Sequence, residues 1–368
     1  MIRLALPEID ERDIAAVVEA LRSGYLVQGA RVRAFEERVA RTVGTSHAVA
    51  VSNCTAALQL ALLALEIAPN DRVAVTTYSW PATANVITLC GAQPVFVDID
   101  ARTFNMDPGR LEQVLANDRR IRAVLPVHAF GGMADMPRIM EVAASYDVPV
   151  IEDAACALGA RLRQRSAGQW GRVGCFSFHP RKAVTTGEGG IIATDDMTIA
   201  NRTRALRNHG QDPCATAPDF VMPGYNLRMT EFQAALGSTQ MDKLDSIIAA
   251  RRERAARYDA LLADSPVTVP NASEPDAHVF QSYVVLVPPN SAARRDAIIA
   301  EMRAERVEVT IGTHHMPLTR YFRTTYGYKP GDFPVTDDVA ARAITLPLHT
   351  RLTSAEQEQV ARKLVARL

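Results

Sequence analysis

The sequence predicts an α/β protein: a large domain with a mainly parallel sheet, followed by a smaller C-terminal α+β domain. Three observations carry this. Over the first two thirds, short β-rich runs alternate with amphipathic helical patterns, as they do where helices cross between parallel strands. Most of those runs are continuously apolar, which suits a sheet covered on both faces. After Pro266 the alternation stops and a few strands mix with helices.

Taken in order, strands are expected at Ala48–Ser52, Val73–Thr77, Pro94–Asp98, Ala123–Val127, Val148–Ile151, Cys175–Phe178 and Gly190–Thr194. Helices are expected between most of them, at Thr55–Leu65, Pro81–Cys90, Pro108–Leu115 and Met136–Tyr146. A long helical stretch from Thr230 to about Leu262 reads as a connector between domains, with Arg251-Arg252-Glu253-Arg254 as a solvated face. The boundary is placed between residues 1–248 and 249–368. In the second part a strand pair (Ser282–Val287 with Val307–Thr310), a helix near Ala292–Arg303 and a closing helix Ser354–Leu368 are expected.

Composition narrows the function classes. Lys+Arg and Asp+Glu each number 41 in 368 residues, so no excess positive charge marks a nucleic-acid or anionic-membrane partner. No apolar run approaches the ~20 residues of a membrane span. The five cysteines (54, 90, 156, 175, 214) form no C-x-x-C pair, and an odd, scattered set predicts reduced thiols in a cytoplasm. The first residues turn acidic too early for a signal peptide. No metal-ligand spacing is present. Neither G-x-G-x-x-G after a first strand nor G-x-x-x-x-G-K-[ST] occurs, which argues against a nicotinamide oxidoreductase and a nucleotide kinase.

Chemistry gathers just after the strands, where sheets of this kind bind ligands. The run Cys175-Phe176-Ser177-Phe178-His179-Pro180-Arg181-Lys182 delivers a hydroxyl and an amine together at a strand end, before the turn Gly187-Glu188-Gly189-Gly190. A phosphate and an aldehyde on one cofactor would use both, and pyridoxal phosphate (PLP) carries both. Holding a lysine neutral near pH 7 costs roughly 4–5 kcal/mol, a cost that imine formation avoids. At Val51-Ser52-Asn53-Cys54-Thr55 a strand turns into a helix whose first amides form an anion site for the phosphate, with Cys54 and Thr55 as donors. Asp153 ends another strand, where it can pair with a protonated pyridine nitrogen. Trp80 follows a third, where its ring can stack on the cofactor. Pro223-Gly224-Tyr225-Asn226-Leu227-Arg228 reads as a turn, with Thr230 as a helix cap.

In combination these residues resemble the sugar aminotransferases of the DegT/DnrJ/EryC1/StrS family, nearly end to end. The resemblance rests on Gly24-Tyr25, Phe35-Glu36, Thr55–Leu58, Pro94-Val95-Phe96-Val97-Asp98, Pro126-Val127-His128 and Glu152-Asp153-Ala154-Ala155. It continues through Ser177–Lys182, Thr186-Gly187-Glu188-Gly189-Gly190, Asn226-Leu227-Arg228-Met229 and Leu346-Pro347-Leu348-His349. It implies a PLP-dependent transferase of fold type I (aspartate aminotransferase-like), working as a homodimer. It further implies that Lys182 bonds the cofactor aldehyde and Asp153 its ring nitrogen, that Trp80 stacks, and that Cys54, Thr55 and Ser177 hold the phosphate. Asn226 would reach the phosphate in the partner subunit, with Arg228 near the same interface. Two positions depart from the family: Cys54 stands where Gly or Ala is usual, and Cys156 where Gln or His lies close to the cofactor.

The implied reaction moves an amino group from L-glutamate or L-glutamine to a keto-sugar acceptor, with Lys182 as base and acid. The Ser-Phe-His-Pro-x-Lys and Tyr-Ser-Trp segments resemble members that aminate C4 of a nucleotide-linked keto-deoxysugar. A 3-keto sugar or a keto-cyclitol is the alternative acceptor, and a protein that holds PLP without turnover is the alternative class. Related dehydratases put histidine where Lys182 stands. His179, His314, His315 and Tyr321, with Arg228, are the candidates for touching the substrate.

Overall fold

The computed structural model describes all 368 residues. Seven strands build the central sheet: β1 (His47–Val51), β2 (Arg72–Thr76), β3 (Gln93–Val97), β4 (Ile121–Leu125), β5 (Ile151–Asp153), β6 (Val173–Ser177) and β7 (Gly190–Thr194). Their spatial order is β3-β2-β4-β5-β6-β7-β1, the β4–β5 join being made by the bridges Val124–Val150 and Val127–Asp153. Every neighbouring pair is parallel except those of β7, which runs antiparallel to both β6 and β1. The mainly parallel sheet is thus observed. β5 begins later than expected, at Ile151; Pro149 upstream has no N–H to give a ladder.

Alternate residues of a strand serve opposite layers. Ala48 and Ala50 of β1 enter one core and Val49 and Val51 another. The first core receives α2 (Ala30–Val43), α5 (Pro108–Asn117), α6 (Met136–Ser145) and α8 (Glu231–Met241). The second receives α3 (Cys54–Ala64), α4 (Ala82–Leu89) and α7 (Met197–Arg207). Both sheet faces are covered, which is why the strands are apolar throughout. α1 (Glu11–Arg22) packs on α8, where the buried Asp13 carboxylate accepts from Thr239, Gln240 and Lys243.

Two expectations about the connector are corrected. The stretch from Thr230 is two helices, α8 and α9 (Leu244–Leu262), broken at Asp242-Lys243. Lys243 there donates to the carbonyl of Glu8 and to both Asp10 and Asp13. The arginine cluster is not a solvated face. Arg251 is buried and donates to the carbonyls of Phe280 and Gln281 at 3.2 and 2.9 Å. Burial lowers its pKa to about 10. Arg252 caps the His278 carbonyl and Arg254 that of Leu352. A guanidinium carries five donors in a fixed fork, so it can satisfy loop carbonyls that no ladder reaches.

C-terminal to α9 a second, smaller sheet has the order β8 (Tyr283–Leu286), β10 (Ala343–Leu346), β9 (Thr310–Ile311), all antiparallel. The expected pair is therefore separated by a third strand. A 3₁₀ turn at Pro289–Arg294 precedes α10 (Arg295–Ala304); α11 (Arg320–Tyr326), α12 (Pro334–Arg342) and α13 (Ser354–Val365) complete this part. Its core gathers Tyr258, Tyr283, Ile298, Ile344 and Val360, and Ile2 from the N-terminus joins it. The two sheets are linked by a two-residue ladder that pairs His314 with Ser79 and His315 with Tyr78. No helix is long and apolar enough to cross a membrane.

Candidate active site

A cleft of about 710 Å³ opens at the carboxyl ends of the central strands and is walled on its far side by Thr310–His314 and the segment Thr345–Leu348. Four strand ends, those of β1, β2, β5 and β6, contribute a group each. β1 runs into α3, where the Asn53 side chain caps the helix by accepting from the Ala56 amide at 2.9 Å. The amides of Cys54 and Thr55 are then left without intrahelical partners and face the cleft with the positive end of the helix dipole. Cys54 is buried and Thr55 exposed. Burial pushes the Cys54 thiol well above its ordinary value, so it stays neutral. Gly190 makes this turn possible, because a Cβ there would lie 2.4 Å from the Asn53 carbonyl oxygen. Gly187 adopts φ +80°, which a side chain would resist.

β5 ends in Asp153, which is 4% exposed. Its Oδ2 accepts from the Thr83 hydroxyl at 2.8 Å and its Oδ1 from the Ala155 amide at 3.2 Å. Burial raises its pKa, while those two donors and the Lys182 amine pull downward without cancelling it. The neighbouring Glu152 points the other way. It accepts from the amides of Gly168, Trp170 and Gly171 and lies 2.9 Å from His128 Nε2, with neither side chain exposed. Since His128 Nδ1 accepts from the Ala134 amide, its Nε2–H is the donor to Glu152. The adjacent pair of acids is thus divided: Glu152 fastens the strand end, and Asp153 faces the cleft.

β6 ends in Ser177, and the turn beyond it returns Lys182 to the same cleft. The Lys182 amine lies 3.0 Å from Cys156 Sγ. Burial works against its charge, but Cys156 and the Asp153 carboxylate are among the groups that outweigh burial, and its pKa lies above the ordinary lysine value. β2 leads to Trp80, 64% exposed on the rim with its ring 5.2 Å from that of His314 in an edge-to-face arrangement. His179, Arg181, Glu188 and Gln281 also line the cleft.

Cys54, Thr55, Trp80, Asp153, Cys156, Ser177, His179, Lys182 and His314 therefore meet in one place. Four candidates lie elsewhere in the single chain. His315 Nε2 is 3.0 Å from Asp337 of α12, Tyr321 packs on Phe322, and Asn226 accepts from Arg228 Nε on an exposed segment. The motif reading missed Thr83 and, apart from His314, the C-terminal wall. Thr83 had a local signal: it is a hydroxyl residue in the first turn of the helix that starts just after the Tyr78-Ser79-Trp80 segment.

The donor set suits a ring that carries an aldehyde, a basic nitrogen and a phosphate. An amine is free to bond carbon, a buried carboxylate with two donors retains lone pairs for a further one, and a helix N-terminus with a serine hydroxyl suits an anion.

Comparison with known proteins agrees. Residues 7–365 match the DegT/DnrJ/EryC1/StrS aminotransferase family model. The spore coat polysaccharide biosynthesis protein SpsC of Bacillus subtilis (strain 168) is 37% identical, covering 97% of this chain and 94% of its own. GDP-perosamine synthase of Caulobacter vibrioides is 37% identical, covering 98% and 96%. The solved PLP-form of Spr1654 from Streptococcus pneumoniae superimposes with a TM-score of 0.93 at 29% identity, over 100% of this chain and 98% of that one. With motif order, fold and family match in agreement, the chain belongs to the DegT/DnrJ/EryC1/StrS aminotransferase family.

Proposed function

We propose that this aminotransferase holds PLP in the cleft and moves an amino group from L-glutamate, or L-glutamine, to a nucleotide-linked 4-keto-deoxysugar. The observation that carries the reading is the convergence of the Lys182 amine and the buried Asp153 carboxylate in one cleft beside the α3 N-terminus. The likeness to a GDP-perosamine synthase supports a nucleotide-linked acceptor. The net reaction is amino acid plus keto sugar giving 2-oxo acid plus amino sugar, with no external oxidant.

In this reading Lys182 Nζ would hold the aldehyde end of the cofactor, and the Asp153 carboxylate would hold its ring nitrogen. The Cys54 and Thr55 amides, the Thr55 hydroxyl and Ser177 hold the phosphate, with Asn226 reaching it in a second copy of the chain. When bound, the cofactor supplies an electron-poor ring that absorbs the charge left when a substrate carbon loses its proton. Lys182 would serve as the base and acid, taking a proton from the donor carbon at Nζ and returning one to the acceptor carbon. Cys156 would hold the Lys182 amine in place at 3.0 Å. His179 and His314 stand on the acceptor's path, with Trp80 packed along the ring. We assign residues 1–248 to cofactor binding and 249–368 to the wall that meets the acceptor, with the dimer working in a cytoplasm.

Purified protein is expected to be yellow, to lose that band on addition of L-glutamate alone, and to regain it with the right keto sugar. Lys182→Ala is expected to lack the band and to lose at least a thousandfold in activity. Indifference to every amino donor would overturn the transferase reading in favour of a protein that only holds the cofactor.

A further inference from the structure

Asp153 must act as an anion in a place that disfavours one. It is 4% exposed, and within the chain it accepts only two hydrogen bonds, from Thr83 and the Ala155 amide. The Ala155 amide comes with the backbone of the same loop. The Thr83 hydroxyl comes from 70 residues away and is itself 1% exposed.

The direction of the bonds is fixed by counting protons. An ionised carboxylate only accepts, so the single Thr83 hydroxyl proton is committed to Asp153 Oδ2. Ser79 Oγ lies 3.0 Å from Thr83 Oγ1. With the Thr83 proton already used, Ser79 must be the donor in that contact. The result is a one-way chain, Ser79 to Thr83 to Asp153, in which each donor polarises the next toward the carboxylate. Ser79 is 7% exposed and is held in place by the ladder to His314.

We infer that Thr83, backed by Ser79, is a positioning residue that keeps Asp153 ionised and aimed at the cofactor ring nitrogen. The inference rests on the PLP reading above and adds to it a residue that acts through Asp153. It also gives α4 a double task. Its entry carries Trp80 for the ring face, and its first turn carries the hydroxyl that charges the ring's partner. Hydrogen bonds to charged groups are strong enough that losing the Thr83 donor corresponds to about a tenfold or greater loss of cofactor affinity.

The test compares wild type, Thr83→Val, Thr83→Ser, Ser79→Ala, Asp153→Ala and the double variant Thr83→Val/Asp153→Ala. PLP dissociation is followed by absorbance, together with the pH titration of the Lys182-linked chromophore; circular dichroism checks folding. Thr83→Val is expected to release PLP about tenfold more readily and to shift the chromophore titration, Thr83→Ser to restore both, and Ser79→Ala to move both by less. In the Asp153→Ala background, Thr83→Val is expected to change nothing further. A Thr83→Val protein with wild-type affinity and titration overturns the inference, as does an equal loss with and without Asp153, which would mark a packing role. A misfolded Thr83→Val leaves the decision to Ser79→Ala, where an unchanged titration overturns it. A wild type that takes up no PLP would overturn the cofactor reading itself, and this inference with it.

Discussion

At the scale of single residues the site trades stability for chemistry. Asp153 has its pKa raised chiefly by burial. Its folded value exceeds its unfolded one, so the fold favours the protonated form. The stability this gives is complete below the unfolded value near 4 and is lost as pH rises through the folded value. At neutral pH Asp153 is therefore a burden on the cofactor-free protein. Asp153→Asn is expected to raise the melting temperature of the cofactor-free protein at pH 7, to lose that advantage toward pH 3, and to cut amino transfer at least a hundredfold. Calorimetry at the two pH values, beside a rate assay, checks both halves. The same residue shows what was legible in advance: an acid at the end of an apolar strand reads directly from Val150-Ile151-Glu152-Asp153. That its neighbour Glu152 serves Gly168, Trp170 and Gly171 instead was not legible, because consecutive side chains in a strand point to opposite sides and sequence does not say which side is the cleft.

At the scale of elements, helix ends do most of the positioning. α3 presents its open amides to the cleft, and α12 is docked by its own N-terminus. Asp98, just beyond β3, accepts from the amides of Val335 and Thr336 at 3.1 and 3.0 Å and from the Thr336 hydroxyl at 2.6 Å. α12 in turn carries Asp337, which holds His315 next to His314 on the ladder to Tyr78-Ser79. Removing this buried cap in Asp98→Ala is expected to cost about 2 kcal/mol in urea unfolding. The chromophore should be spared, since Asp98 touches none of its candidate ligands, while KM for the acceptor rises through the loosened His314 wall. Elements with strong local patterns were foreseen almost to the residue, β7 and α6 among them. The split between α8 and α9 was not, because both halves have helical composition and the break is made by Lys243 turning to Asp13, 230 positions away.

At the scale of the whole molecule, apolar side chains remain uncovered near the residues assigned to a second copy. Phe220 and Tyr225 are 62% and 43% exposed on the segment that bears Asn226, and Tyr25 is 78% exposed beyond α1. These are the surfaces that the proposed dimer, with Asn226 reaching a second copy, would cover. Phe220→Glu combined with Tyr25→Glu is expected to shift the protein from dimer to monomer in light scattering and to weaken PLP retention about tenfold; a monomeric wild type would defeat this. The sequence by itself determined the class of fold, the approximate places of the central strands, and that Lys182, Asp153 and Ser177 stand at or just past strand ends. Those features follow from local periodicity and from residue types set at the ends of strands. Only the tertiary structure decided that Thr83 supports Asp153, that Arg251 is buried under loop carbonyls, and that Thr310–His314 walls the cleft. Periodicity states which face of an element is apolar. Which distant element that face or its polar neighbours will meet is settled by packing alone.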